Sequence, residues 1–376
     1  TRVGSSAASD VYKRQPVTYT FNGTWSPSDP NGTATANDDL IIVTGDAIIS
    51  NNTTCNTVTV SPGASLTVNT GLTLTTTDAT NGLTLESTSS SFSSLINDGT
   101  ITGTINYVRF VNGLGSGVPG TGGNDLIAAP VGTDALIDFS NLLSFGNNST
   151  VIASSGTLYA FAPFNNTTGN YDVEDTALAS PATIAAGQGY RMATATTSGD
   201  NVTFSGSFSS GTVSIGISTG TASQWNLIGN PYPSYINSTA FLTENSGLLD
   251  ATLLDPAATA IYGYNSGTYS GAGSTLGNFT IINNNTNASL NIAPGQGFFV
   301  ASSATGGNVN FTPAMRTTTG ADDFIEGRSS FQNDNLILEL VGATTSITSF
   351  YFNENSSRGL DPGYDAAAFG ENADNT

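Results

Sequence analysis

The sequence lacks histidine altogether and contains a single lysine, Lys13, and a single cysteine, Cys55. Without histidine, the chain cannot form a Ser-His-Asp triad, a Cys-His catalytic pair or a histidine-ligated metal site. One cysteine excludes an internal disulfide, a zinc knuckle and an iron–sulfur cluster. These absences remove the commonest nucleophilic and metal-dependent mechanisms, and no catalytic residue is predicted from those that remain.

Charge is also scarce and strongly one-sided. The 376 residues include 8 basic and 28 acidic side chains, which is 10 % charged and a net charge of −20, whereas about 25 % is usual. So acidic a chain excludes a phosphate-tracking nucleic-acid surface and is repelled by anionic membranes. No run of 18 apolar residues is present, so no membrane-spanning helix is predicted.

The residues that are abundant favour strands and turns. Hydrophobic residues make up 38 % of the chain, with 19 Phe and 13 Tyr, which is enough for a packed core. The polar majority is Thr, Ser, Asn and Gly. Threonine favours strands, and the other three favour turns. The composition therefore predicts an all-β protein whose core does not depend on disulfides.

The first fifteen residues differ from the rest of the chain. They hold three of the eight basic residues, Arg2, Lys13 and Arg14, and the composition changes at Pro16. The segment resembles adapter-derived translations at the ends of open reading frames from environmental assemblies. Residues 1–15 are therefore predicted to be a non-native tail, with a natural basic arm as the alternative. We expect the chain to be a fragment open at both ends.

Residues 17–112 consist of short runs in which apolar residues alternate with threonine. Examples are Leu40–Val43, Thr57–Val60 and Leu83–Leu85, separated by turn signals such as Pro62-Gly63. Strands of three or four residues cannot bury a core by hairpin pairing alone, but the stacked coils of a solenoid can. The pattern predicts a short parallel β-helix, and a β-sandwich with short strands is the alternative.

Residues 124–317 contain an internal duplication, in which four landmarks recur in order at offsets between 101 and 108 residues. We predict a Gly-rich linker over 113–123 and antiparallel, jelly-roll-like β-sandwich units over 124–220 and 221–330. A truncated β unit is predicted to start within 331–376, and helical turns are expected at 133–143 and 238–245. The matching pairs are Leu126–Pro130 with Leu227–Pro231, Leu158–Phe161 with Ile261–Tyr264, Ala186–Tyr190 with Pro294–Phe298, and Asn201–Phe204 with Asn308–Phe311.

The Gly-Gln-Gly-aromatic string occurs in both predicted units, at Gly187–Tyr190 and Gly295–Phe298. Its recurrence at matching places favours a structural role: a tight turn with positive φ at a glycine that leads into a core strand. The glutamine side chain is then expected to bond the backbone across the turn. A ligand-binding loop is the alternative.

The most distinctive string is Trp225–Ser234. Trp225, Tyr232 and Tyr235 are the candidate ligand-binding residues, because aromatic rings stack on sugars. The alternative is that Trp225 fills a core and that the prolines fix a rigid turn, since proline sets its own φ and extends its predecessor. The pattern favours this second interpretation.

Four acidic residues, Asp322, Asp323, Asp361 and Asp365, are the candidate calcium ligands, and calcium is the one cofactor considered. Their spacing does not match an EF-hand loop, and solvated surface acid is the alternative. Paired carboxylates would also suit glycoside hydrolysis, although no flanking pattern marks a buried general acid. A flat, ice-binding threonine array over 57–85 is a further alternative to ordinary outward threonines.

Several strings along the chain are distinctive when taken together. They are Gly23-Thr24-Trp25, Asp38–Ile42, Pro62–Val68, Trp225–Ser234, Ala293–Val300, Phe352–Asn355 and Gly359–Asp365. These strings resemble large secreted surface proteins of marine Bacteroidota, in which such regions precede a type IX secretion sorting domain. The resemblance covers nearly all of residues 17–370 and implies an extracellular or outer-surface location. Neither the sorting domain nor a signal peptide is visible in this sequence.

The sequence thus predicts a non-enzymatic, secreted or outer-surface structural or adhesive protein. Its expected partners are extracellular polysaccharide or other surface proteins. One alternative is a carbohydrate-active enzyme or carbohydrate-binding module that uses paired carboxylates and aromatic residues. A second alternative is an adhesin stabilised by calcium.

Overall fold

A computed structural model of the chain describes residues 14–114, 123–132, 137–178, 181–253, 257–265, 278–285, 289–320, 334–341 and 345–352. Strands dominate this part of the chain, and a parallel solenoid is followed by antiparallel sheets. The all-β prediction is therefore confirmed. None of the helices described has the length and apolar character needed to cross a bilayer.

The solenoid contains twelve short strands. They are β1 (Thr18–Asn22), β2 (Trp25–Ser26), β3 (Asp39–Thr44), β4 (Asp46–Ile49), β5 (Thr53–Cys55), β6 (Thr57–Val60), β7 (Ser65–Val68), β8 (Thr73–Thr76), β9 (Leu83–Glu86), β10 (Ser94–Asn97), β11 (Thr100–Thr102) and β12 (Ile105–Val111).

Eleven of these strands stack into three parallel sheets, one on each side of the coil, and β2 pairs antiparallel with β1. The first holds β1, β3, β6, β9 and β12, the second β4, β7 and β10, and the third β5, β8 and β11. Alternate residues point inward and align from coil to coil, so that each coil covers the apolar side of the next. One such buried row is Leu40, Val58, Leu83 and Ile105.

The remaining strands, except the last two, form antiparallel sheets. They are β13 (Asp125–Ala128), β14 (Ile137–Asp138), β15 (Ser154–Ser155), β16 (Leu158–Tyr159), β17 (Phe161–Ala162), β18 (Phe164–Asn165), β19 (Asn170–Tyr171), β20 (Thr183–Ile184), β21 (Gly189–Met192), β22 (Asp200–Ser205), β23 (Val213–Ile217), β24 (Trp225–Gly229), β25 (Tyr235–Asn237), β26 (Ala260–Asn265), β27 (Asn278–Asn283), β28 (Asn291–Ile292), β29 (Gly297–Ala301), β30 (Gly307–Phe311) and β31 (Arg316–Thr317).

The antiparallel region repeats one strand arrangement twice, and we call the two copies unit 1 and unit 2. In unit 1, β13 pairs with β21 and places Ala128 opposite Gly189. In unit 2, β24 pairs with β29 and places Gly229 opposite Gly297. A third strand joins each pair, β17 in unit 1 and β26 in unit 2. The residue boundaries predicted for the units stay a prediction.

Three short helices, α1 (Phe139–Ser144), α2 (Asn148–Val151) and α3 (Ser238–Asn245), extend the repeat. The prediction for α3 is confirmed, and α1 covers part of the predicted 133–143 turn, of which 133–136 lie outside the described residues. Asp138 caps α1 and Asn237 caps α3 by accepting a backbone N–H through the side chain. Both helices thus begin directly after a residue whose side chain caps the first turn.

Strand β12 belongs to the solenoid and to unit 1 at once. It pairs in parallel with β9 and antiparallel with β22. Solenoid and unit 1 consequently share one hydrophobic core, which runs from Tyr19 to Phe208. Unit 2 has a core of its own, in which Phe241, Phe298 and Phe311 pack together.

Near the C-terminus, β32 (Asp334–Val341) and β33 (Thr345–Phe352) pair antiparallel. Both strands lie within the truncated β unit predicted for 331–376, whose extent stays a prediction. Most of the predicted Gly-rich linker, residues 115–122, lies outside the described residues.

Candidate functional site

The three aromatic residues predicted to bind a ligand are buried. Trp225 is 8 % exposed, Tyr235 2 % and Tyr232 0 %. The Trp225 ring packs edge-on against Tyr262, and the Tyr232 hydroxyl lies 2.6 Å from the carbonyl oxygen of Phe311. Rings enclosed in this way present no face on which a sugar could stack, so the packing matches the alternative interpretation favoured by the sequence.

The Asn-Pro-Tyr-Pro string forms an internally bonded turn. Asn230 is fully buried, and its amide donates to the carbonyl oxygens of Ser234 at 2.7 Å and Ala293 at 3.0 Å. Its carbonyl oxygen accepts the backbone N–H of Tyr232 at 3.0 Å. The Asn230 side chain thus forms its hydrogen bonds with backbone groups, as buried amides usually do.

The two Gly-Gln-Gly turns join unit 1 to unit 2. Gly187 and Gly295 have φ of +79° and +63°, the left-handed region that favours glycine. The carbonyl oxygen of Gly187 accepts the N–H of Gly229 at 2.9 Å, and that of Gly295 accepts the N–H of Ala128 at 2.8 Å. The expected glutamine bond occurs as well, since the Gln188 amide donates to backbone. Each unit is therefore hydrogen-bonded to the other through its own Gly-Gln-Gly turn.

The candidate calcium ligands Asp322, Asp323, Asp361 and Asp365 lie outside the described residues. In the part of the chain that is described, no three acidic or cysteine side chains are grouped so that they would hold a metal ion.

Asp38 is an acidic residue that is buried at the N-terminal end of the solenoid. Burial opposes its ionisation, but hydrogen bonds from the backbone of Val17 and Thr35 outweigh it, and the pKa of Asp38 is lowered. Arg14 also contributes, through a 2.6 Å ion pair. Arg14 falls within the predicted non-native tail and here has a structural contact.

Unit 2 is also fixed to the solenoid. The guanidinium of Arg316 lies 2.7 Å from the carboxylate of Asp98 and 3.3 Å from the carbonyl oxygen of Asn97. Nearby, the backbone N–H of Leu95 donates to the carbonyl oxygen of Pro233 at 2.6 Å. Backbone of the second solenoid sheet is therefore bonded directly to unit 2, and all three parts of the described chain are joined.

The third solenoid sheet presents a regular polar surface on its outward side. Its outward positions carry five threonines, which we call the threonine face. Three align across the coils in one row, and two align in a second row, where Asn52 precedes them in the first coil. The rows are Thr54, Thr75 and Thr102, and Thr73 and Thr100.

The five hydroxyl groups of the threonine face are free within the described part of the chain. Thr54, Thr100 and Thr102 are exposed, whereas Thr73 and Thr75 are half-buried. Strand geometry spaces the hydroxyls at about 4.8 Å between coils and about 6.7 Å along a strand. Each hydroxyl both donates and accepts a hydrogen bond. The face thus carries regularly spaced, uncharged hydroxyl groups that can donate and accept hydrogen bonds.

Comparison with known protein families gives one match, to a domain of unknown function (DUF8693), over residues 18–375. The chain belongs to the DUF8693 family. No curated protein and no solved structure matches it. The family match identifies no enzyme class, and it covers the solenoid, both units and the C-terminal strands together.

Sequence reasoning underestimated the threonine face. Two of its strands contain the signal, Thr73-Leu74-Thr75 and Thr100-Ile101-Thr102, in which an apolar residue, buried at Leu74 and half-buried at Ile101, separates two outward threonines. The irregular length of the intervening corners hid the regular stacking. Only the strand register shows that these residues lie on one face.

Proposed function

We propose that the chain is a non-enzymatic structural or adhesive protein of the cell exterior, which contacts an extracellular polysaccharide through the threonine face. The observation that carries this proposal is the set of five aligned threonine hydroxyls without an internal partner. Each bond to a sugar hydroxyl contributes about 1 kcal/mol, so affinity depends on making several at once.

The joints between the three parts support the scaffold half of the proposal. Solenoid and unit 1 share β12, the two units hold each other through the Gly-Gln-Gly turns, and Arg316 ties unit 2 to the solenoid. A protein built in this way holds the threonine face in a fixed orientation. Fixed orientation lowers the entropic cost of binding to an extended surface.

The test is a sedimentation assay with insoluble neutral polysaccharides such as cellulose and chitin. The variant carries Thr54→Val, Thr75→Val and Thr102→Val, which removes three hydroxyls and keeps the shape. Three lost bonds of about 1 kcal/mol predict binding at least tenfold weaker. Thr67→Val is the matched control, because Thr67 also faces outward but lies on the second sheet.

Four results would contradict the proposal. If the wild-type protein fails to co-sediment with any of the polysaccharides, the adhesive role is contradicted. If the triple variant binds as well as wild type, the threonine face is not the binding surface. Release of reducing sugar during the assay would favour the carbohydrate-active enzyme instead. Inhibition of ice recrystallisation without polysaccharide binding would assign the same face to ice.

Calcium dependence is tested separately by thermal melting of the whole chain with calcium and with a chelator. A calcium-stabilised adhesin requires a higher melting temperature with calcium. An unchanged midpoint would count against that alternative and leave the threonine face as the binding surface.

A further inference from the structure

The internal repeat gives β12 and β23 equivalent positions. In unit 1, β12 pairs with β22 and places Val108 opposite Thr203. In unit 2, β23 pairs with β30 and places Ser214 opposite Asn310. A buried asparagine bonds the far edge of the second strand in both cases, Asn148 at Thr203 and Asn245 at Asn310. Ser214 is therefore the counterpart of Val108.

The asparagine bonds also show which backbone groups of β23 point away from β30. Asn310 uses both its N–H and its carbonyl oxygen on Asn245. Opposite residues in an antiparallel pair share the same alternation, so the N–H and carbonyl oxygen of Ser214 face the outer edge. Gly216 lies two residues further along β23, opposite Asn308, and its N–H and carbonyl oxygen face the same outer edge. Within the described residues, neither Ser214 nor Gly216 has a backbone partner on that edge, and both are exposed.

In unit 1 the equivalent edge is occupied. Strand β9 pairs with β12 in parallel, with Glu86 alongside Val108. The hydroxyl of Ser87 then donates to the carbonyl oxygen of Val108 at 2.9 Å and accepts the N–H of Phe110 at 2.7 Å. Phe110 corresponds to Gly216. One parallel strand and its serine thus satisfy the groups that remain open in unit 2.

We propose that the outer edge of β23 binds a strand of another polypeptide, running parallel to β23. The bound strand has the pattern of residues 83–87, in which apolar and polar residues alternate and a serine stands at the end. The last full coil of a β-solenoid presents such a strand. Exposed edges are normally protected by charged side chains, proline or bulges. Residues 213–217 carry no charge and no proline, and their register with β30 is unbroken.

The probe is a synthetic peptide with the sequence of residues 81–88, titrated to millimolar concentration into the whole chain. Backbone amide shifts are followed by NMR. The expected result is a saturable shift at Ser214 and Gly216. A spin label at the N-terminus of the peptide is expected to broaden Thr212 more than Ile217, because the strands run parallel. Replacing serine by alanine in the peptide removes a bridging hydroxyl and should weaken binding about fivefold.

Two variants of the chain form a matched pair. Gly216→Pro removes the outward N–H without touching the bonds to β30, whereas Gly216→Ala keeps it, with an added carbon 3.5 Å from the Asn308 side chain. The alanine variant should bind the peptide as wild type does, and the proline variant should show no saturable shift. Unchanged melting temperatures establish that both variants fold, and a misfolded Gly216→Pro is replaced by Ser214→Pro.

Four results of the peptide titration would overturn the proposal: no saturable shift in the wild type, shifts confined to other strands, equal binding by the proline variant, or broadening stronger at Ile217. A dimer of the chain alone that Gly216→Pro dissolves would assign the edge to a second copy and would likewise overturn it. The threonine face lies on the solenoid and the proposed strand edge lies on β23, so failure of either proposal leaves the other standing.

Discussion

The two buried asparagines of the repeat offer the sharpest test of how the units are held together. Asn148 donates to the carbonyl oxygens of Leu142 and Thr203, both at 2.7 Å, and accepts the N–H of Thr203 at 2.9 Å. Asn245 makes the same three bonds, to Phe241 and Asn310. Each side chain is 1 % exposed and ties a helix to a strand.

Replacing either asparagine by alanine removes three hydrogen bonds at once. Each is worth about 1 kcal/mol, and the strand groups left behind have no other described partner, which adds to the loss. The expected destabilisation is about 3–4 kcal/mol for Asn148→Ala and the same for Asn245→Ala, because the two sites have the same geometry. Asn147→Ala is the control, since Asn147 neighbours Asn148, is exposed and makes no side-chain cap bond.

The assay is native-state hydrogen exchange, which reports each segment separately in a chain of several parts. Asn148→Ala should increase exchange in α1, α2 and β22, and Asn245→Ala in α3 and β30. Asn147→Ala should stay within about 0.5 kcal/mol of wild type. A loss below about 1 kcal/mol at both buried sites, or a loss at Asn147 equal to that at Asn148, would refute the reasoning.

Three further outcomes are expected. Gly189→Ala should cost about 1–3 kcal/mol in urea unfolding, because its Cβ would lie 2.7 Å from the Ile228 carbonyl oxygen; equal stability of Gly189→Ala and the open-site control Gly247→Ala would count against this. Cys55 should stay unreactive towards a thiol reagent at pH 8 until urea unfolds the chain, since burial raises its pKa to about 12; rapid native reaction would contradict it. Asp38→Asn should destabilise at pH 7, and the difference should shrink as the pH falls below about 4 and through the lowered pKa of Asp38, since a lowered pKa gives stability that is lost on acidification; a pH-independent difference would contradict that sign.

The sequence predicted the solenoid because its evidence is local. Alternation of apolar residues with threonine over three or four positions fixes which face of a strand is buried, and Leu40, Val58 and Leu83 fall on the inward side as expected. The Gly-Gln-Gly turns were predicted for the same reason, since a glycine with positive φ is a local requirement. The helix Ser238–Asn245 likewise follows an asparagine cap.

What the sequence could not supply is pairing between distant strands. No local pattern indicates that Ile105–Val111 is both the last strand of the solenoid and the first strand of unit 1. Equally, the threonines at 54, 75 and 102 belong to separate coils, and their common face depends on the register of β5, β8 and β11. Burial of Trp225 and Tyr232 could be favoured from the prolines nearby, but only the packing decides it.

The few positive charges bear on which ligand the threonine face would accept. Every arginine in the described part of the chain contacts a partner within the protein: Arg14 with Asp38, Arg109 with Phe92, Arg191 with Tyr171, and Arg316 with Asp98. None of these four arginines belongs to the threonine face, and the net charge of −20 repels an anion. An anionic polysaccharide would therefore meet repulsion without compensating ion pairs. A neutral polysaccharide is not repelled by the net charge, and its hydroxyls match threonine as donors and acceptors. We therefore expect binding to cellulose or chitin to exceed binding to alginate, and the preference to shrink as salt screens the repulsion.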